Sequence, residues 1–162
     1  MLSPHRWPPA VEPEDLGAVV HGPVVLARAP GIVAALRCVF AHTDGLSLPF
    51  VLRAEGVQAE AALRQSQWGG IDEDGPQGWS EPALAVRVGG HEGFVDPSQA
   101  RGSGGEDAYD LDATFWLDVR PEEVARDHRL ELTVAWPQAG LPETTTVLTL
   151  RPWAAGEVLP LL

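Results

Sequence analysis

The sequence predicts an all-β protein, an antiparallel β-sandwich of immunoglobulin-like or jelly-roll-like type with roughly seven or eight strands. A β-barrel is the alternative. Three observations carry this. Short segments alternate apolar and polar residues over four to eight positions, as half-buried strands do. Gly- and Pro-containing turn signals separate them. The stretch Leu130–Leu150 reads as two alternating strands joined by a Pro-bracketed corner, Trp136 to Glu143.

Taken in order, residues 1–22 are Pro-rich and acidic, and Pro4, Pro8, Pro9 and Pro13 exclude a regular helix. They read as an extended arm pinned by Trp7. The predicted sandwich covers 23–150 and a tail covers 151–162. Pro23–Ala29 is the first strand. Ile32–His42 alternates with Ala34, Leu36, Cys38 and Phe40 on one face, and Leu46–Ala54 with Leu46, Leu48, Phe50 and Leu52 on one face. Thr43-Asp44-Gly45 turns between them, which makes a hairpin. Pro49 has no N–H for a ladder, so that side of it belongs at an edge or a bulge.

Glu55–Gln67 predicts a short helical segment. Trp68–Glu81 is a loop by composition, with four Gly, one Pro, four acids and two Trp. Pro82–Gly89 is a strand with Leu84, Val86 and Val88 inward. Gly89–Gly93 predicts a turn and Phe94-Val95 a short return. Asp96–Asp110, with Gly102, Gly104 and Gly105, reads as a second loop. In Leu111–Val119, Ala113, Phe115, Leu117 and Val119 face inward, and Asp112, Thr114, Trp116 and Asp118 outward. Arg120–Arg129 predicts one helical turn, with Pro121 at its first position and Glu122 and Glu123 near the positive end of the dipole. Leu130, Leu132, Val134 and Trp136, then Thr146, Leu148 and Leu150, complete the core.

Four of these pieces resemble a family of small, uncharacterised β-rich proteins from GC-rich bacteria. They are the strand Ala34-Ala35-Leu36-Arg37, the turn at Asp44-Gly45, the Gly-rich stretch before the last strands, and the corner W-P-x-x-G-[IL]-P-E-T. The corner is the most specific, at Trp136-Pro137-Gln138-Ala139-Gly140-Leu141-Pro142-Glu143-Thr144. The resemblance spans Val25 to Leu150. It implies a fold and carries no catalytic residue or cofactor with it.

Composition narrows the function classes. Of 162 residues, 23 are acids and 11 are bases, for a net charge of −12, and every base is Arg. Such a chain repels phosphate-rich partners, so neither nucleic acid nor an anionic membrane is expected. The N-terminal stretch has no apolar run of the kind a signal peptide needs. Cys38 is the single cysteine. A lone thiol in an apolar run fits a reducing compartment, so a cytoplasmic protein is expected.

No motif anchors catalysis. There is no G-x-S-x-G, and His5, His21, His42, His91 and His128 form no metal-spaced pair. Arg101-Gly102-Ser103-Gly104-Gly105 lacks the Lys of a phosphate-binding loop. His42 reads as a surface or capping residue beside its turn. Asp72, Glu73 and Asp74, and then Glu106, Asp107, Asp110 and Asp112, hold carboxylates in loops, yet neither stretch has the spacing of a calcium loop. Six Trp against one Tyr is an unusual ratio.

The sequence therefore supports a non-enzymatic module without cofactor that binds a protein, another chain or its own copy. The candidate partner surface is Trp116, Trp68, Trp79, Val51 and Val147, chosen as outward or loop-borne apolar side chains. A sugar- or calcium-binding sandwich using residues 68–81 and 102–112 is the alternative. An enzyme with a loop-assembled site comes third.

Overall fold

The computed structural model describes residues 7–8, 13–68, 82–105 and 107–162. Among these, two antiparallel sheets of seven and four strands pack face to face. The arrangement is a sandwich and not a closed barrel. Eleven strands are present, more than the sequence predicts, because segments read as arm or loop also pair.

The larger sheet is built on β5 (Leu46–Glu55). One edge of it takes β9 (Ala108–Leu117) along ten paired positions. The other edge takes β3 (Ile32–Leu36) and then β4 (Val39–Ala41). β2 (Val24–Ala29) pairs with β3, β1 (Ala18–His21) with β4, and β8 (Pro97–Gly104) with β9. The smaller sheet runs β11 (Leu141–Thr149), β10 (Arg129–Trp136), β6 (Ala83–Val88) and β7 (His91–Val95). Its inward residues Leu84, Val86, Val88, Leu130, Leu132, Val134 and Trp136 are all buried, as the alternation predicts. They meet Leu46, Leu48, Phe50, Leu52, Phe115 and Leu117 from the larger sheet in one core. The sheets also meet at one edge, where Thr146 Oγ1 donates to the Leu26 carbonyl at 3.0 Å.

The hairpin of β3–β4 with β5 forms as predicted, but not in one phase. Leu36 faces Phe50 and Phe40 faces Ser47, so the three residues 37–39 oppose the two residues 48–49. This is a β-bulge. Arg37 N–H donates to the Pro49 carbonyl at 2.9 Å. In a strand, a residue's N and carbonyl point to the same side. The missing N–H of Pro49 therefore faces the bulge, the place its chemistry demands. The inserted residue reverses the alternation that the sequence predicts. Val39 and Ala41 enter the core, and Cys38 and Phe40 are half-buried on the outer face.

Other corrections are local. The arm is pinned by Trp7, whose backbone N–H donates to the Phe94 carbonyl at 2.9 Å, but residues 18–21 belong to the sheet as β1. Gly89-Gly90 form a tight turn with φ of 56° and 83°, so β7 starts at His91 and not at Phe94. Both positions require the left-handed region that glycine adopts freely. The stretch Asp96–Asp110 is mostly strand. Two of its glycines sit where space is short: a Cβ at Gly102 would lie 3.1 Å from the Tyr109 hydroxyl, and one at Gly104 2.8 Å from Leu63 Cδ1.

The predicted helical segment is α1 (Gly56–Trp68), which buries Ala59 and Ala62. The predicted turn after Arg120 is α2 (Pro121–Val124), where Glu123 Oε2 accepts from the Arg120 N–H. The corner after Trp136 is a 3-10 turn, Pro137–Ala139, closed by Gly140. Trp136 is fully buried, its ring edge-to-face with Tyr109 at 5.9 Å. Tyr109 in turn shares a 2.7 Å hydrogen bond with Ser66 of α1. The loop predicted at 68–81 lies outside the described residues from 69 onward.

Gly45 sets the sharpest packing test. A Cβ there would collide with the Leu117 carbonyl oxygen and stand 2.6 Å from Trp116 Cζ2. Gly45→Ala is expected to cost about 1–3 kcal/mol, the usual penalty of overpacking. The urea midpoint should fall with the slope unchanged. Gly22→Ala, with no atom within 4 Å of its new Cβ, is the control and should leave the midpoint in place.

Candidate functional site

Three segments converge on a cleft of about 830 Å³ at one end of the sandwich. The β4–β5 turn brings His42, Thr43 and Asp44. The link from β9 into α2 brings Asp118, Arg120 and Glu122. His128, after α2, and Trp153, in the C-terminal tail, complete the wall.

The bulge opposite Pro49 places His42. Reversing the alternation turns Phe40 and then His42 away from the core, toward the outer face. There the His42 ring lies 5.6 Å from Trp116 and 6.1 Å from Phe40. It is 6% exposed. The sequence places this residue at the surface, and the structure corrects that. His42 Nδ1 is 2.6 Å from Asp15 Oδ1. Asp15 also accepts from the Gly17 N–H at 3.0 Å and the Thr43 N–H at 3.1 Å.

Asp15 is held by strand pairing. It bridges antiparallel to Pro160, with Leu16 N–H donating to Leu159 O and Leu161 N–H to Glu14 O. The N- and C-terminal segments thus form a short ribbon. Burial raises the affinity of the Asp15 carboxyl for a proton, but the hydrogen bonds from His42 and Thr43 outweigh it. The carboxyl is held below its ordinary range. An ionised Asp15 can only accept, so His42 Nδ1 carries the hydrogen. In the neutral ring Nε2 then presents a lone pair. Among the described residues, no group hydrogen-bonds to Nε2.

His128 is the one non-glycine described residue with positive φ, 53°. Its ring sits edge-on to Trp153 at 6.0 Å, and its Nδ1 is buried without a hydrogen-bond partner among the described residues. The N–H of His128 caps α2 by donating to the Val124 carbonyl at 2.8 Å.

No family model, curated protein or solved structure matches this chain.

Of the surface residues expected from sequence, Trp116, Val51 and Val147 have described side chains, and these three do not come together. Trp116 is 5% exposed, a correction to its predicted outward role. It does point off the core face of β9, but His42 and the close approach of Gly45 cover it. Val51 is half-buried on the outer face of the larger sheet, between Ala35 and Asp112. Val147 is exposed on β11 of the smaller sheet. The two lie on opposite outsides of the sandwich and form no common surface. Trp68 ends α1, and Trp79 lies outside the described residues.

The second acidic stretch also resolves differently from a calcium loop. Asp110 and Asp112 lie on β9 and pair with Arg53 at 3.3 and 3.0 Å. Among the described residues, no group of three or more His, Cys, Asp or Glu is arranged to hold a metal ion. Nor is any helix there long and apolar enough to cross a membrane.

The Asp15–His42 pair was not visible in the sequence. Its members are 27 residues apart, and one sits in a segment that reads as an arm. Removing Asp15 leaves the buried imidazole N–H and the part-buried Gly17 N–H without their acceptor, so Asp15→Ala is expected to cost about 1–3 kcal/mol. The pH dependence follows from the lowered carboxyl. Such a group adds stability above its unfolded-state value, about 3.9. It loses that contribution as pH falls through the still lower folded-state value. The exposed carboxyls of Glu123 and Glu157 shift the same way. Asp15→Asn should therefore lose stability less steeply than wild type below about pH 4. Urea midpoints measured across acid pH check this, and parallel curves would refute it.

Proposed function

We propose that the protein is a non-enzymatic β-sandwich module that binds another protein through the outward face of its terminal ribbon. One observation carries this. In an antiparallel bridge, residues alternate between two faces. Asp15 and Pro160 take the inner face, and Asp15 spends it on His42. Leu16, Leu159 and Leu161 must then share the outer one. They are 58%, 55% and 56% exposed. Val19, 48% exposed, follows on β1. Adjacent large apolar side chains held rigidly in water mark an interaction surface.

The charge of the chain shapes the partner. A net −12 opposes the approach of a second acidic copy and of nucleic acid or an anionic membrane. The favoured partner is a protein with an apolar centre and a basic rim. The cytoplasm is the proposed compartment, supported by the single, half-buried thiol of Cys38. The Asp15–His42 pair has the form of an oriented base. Asp15's hydrogen bonds hold the His42 ring, the backbone of Gly17 and Thr43, and the Thr43 side chain, which favours a structural role for it.

Leu159→Ser combined with Leu161→Ser tests the reading. Exposed positions away from special features shift stability by no more than about 0.5 kcal/mol. The double variant should fold like wild type yet lose the partners that wild type retains from its host. Light scattering reports self-association separately. Equal retention by both forms, or a strict monomer retaining nothing, would overturn the proposal.

A further inference from the structure

The cleft carries an inference that does not depend on the leucine face. Its polar groups are unevenly typed. His42, nearly fully buried, has its Nδ1–H committed to Asp15, so its other nitrogen is an acceptor in the neutral ring. Asp44, Asp118 and Glu122 add three exposed carboxylates. Thr43 lines the cleft, but its N–H and its side chain both hydrogen-bond the Asp15 carboxylate. Arg120 is the single cationic side chain among the described lining residues. Trp153 supplies an aromatic surface against His128.

Several carboxylates elsewhere are paired with arginine: Asp110 and Asp112 with Arg53, Glu92 with Arg87, Glu60 with Arg64, Glu157 with Arg151. Asp44, Asp118 and Glu122 make no ion pair among the described residues. A volume of about 830 Å³ lies within the range of ligand pockets.

We propose that this cleft binds a cationic N–H donor, an ammonium or guanidinium group, with Asp44 and Asp118 supplying charge and His42 Nε2 accepting a hydrogen bond. Carboxylates select the sign of the ligand. The fixed imidazole lone pair selects a donor, and the aromatic wall suits a cation. Arg120 opposes the ligand and limits its affinity, which makes it the discriminating residue. The group arrives either as a free amine or as a basic side chain of a protein, and the two sources are separable.

Spermidine and L-argininamide serve as free probes, a short Ala peptide with one central Arg as the peptide probe, and inorganic phosphate as the opposite charge. Calorimetry reads affinity, and the ¹⁵N shift of His42 Nε2 reports contact at the ring. Asp44→Asn and Asp118→Asn should each weaken cation binding about threefold to tenfold, while Arg120→Ala should tighten it by a similar factor. Binding should fall as salt rises. Binding of free probes assigns the site to small amines. Binding of the peptide alone assigns it to a protein side chain. Leu159→Ser with Leu161→Ser should leave either titration unchanged. No binding by any cationic probe at millimolar concentration overturns the proposal. So does phosphate binding that Arg120→Ala abolishes, or cation binding that leaves Nε2 unmoved.

Discussion

The position of Pro49 governs the larger sheet. β5 must pair on both edges, and on one of them Pro49 offers a carbonyl but no N–H. The strand opposite accommodates this with one extra residue between Leu36 and Phe40. That residue does more than relieve a missing hydrogen bond. It exchanges the faces of everything downstream in β4, so Val39 and Ala41 pack into the core and Phe40 and His42 leave it. Without the slip, His42 would point between the sheets, where a polar ring needs partners that the apolar core does not supply. With the slip, it meets Asp15 and Trp116. A backbone constraint at one residue thereby fixes a side chain that lines the cleft.

The same period-two logic organises the ribbon. Asp15 and Leu16 are neighbours in sequence and face opposite ways. Asp15 ties the N-terminal segment to the β4–β5 turn through His42 and Thr43. Leu16 is left outward beside Leu159, and Val158, one residue earlier, lines the cleft. Anchor, cleft wall and exposed apolar face all belong to one small piece of structure. The tail is further secured by Arg151, which donates to the Val19 carbonyl and pairs with Glu157 at 3.0 Å. Exposed ion pairs of this kind contribute little on their own. Their value here is geometric, since they hold the tail alongside β1.

Strands with one buried face were legible, because hydrophobic alternation records directly which side meets the core. Leu84 to Val88, Ala113 to Leu117 and Leu130 to Trp136 all face as their pattern predicts. Pro49 was legible as a bulge or edge marker for the same kind of reason: its chemistry admits few settings. What failed was reading composition as conformation. Gly102 and Gly104 look like loop residues, yet they lie on a strand where Tyr109 and Leu63 crowd the space a side chain would take. Trp116 looks outward by alternation, and it is outward of the sheet, but an outer face is not always a wet one. Its cover comes from His42, held in turn by Asp15, a contact across 27 residues that local pattern does not encode.

The distinction between outward and exposed applies to the functional reading as a whole. Trp116 and Leu16 both sit off the core, and of the two the sequence offers only Trp116 as a partner anchor. The Asp15–His42 pair separates them. By drawing the N-terminal segment onto the sheet, it brings His42 over the Trp116 ring, and the alternation of the same segment turns Leu16 to solvent. Covering one apolar side chain therefore exposes another. Folding alone gives no reason to place leucine at 16, 159 and 161, because polar residues at those positions would keep every backbone hydrogen bond of the ribbon. Large apolar side chains held in water at a rigid surface gain favourable burial only when something outside the fold covers them. The proposed association would supply that cover, and it would account for leucines on a ribbon whose own hydrogen bonds do not require them.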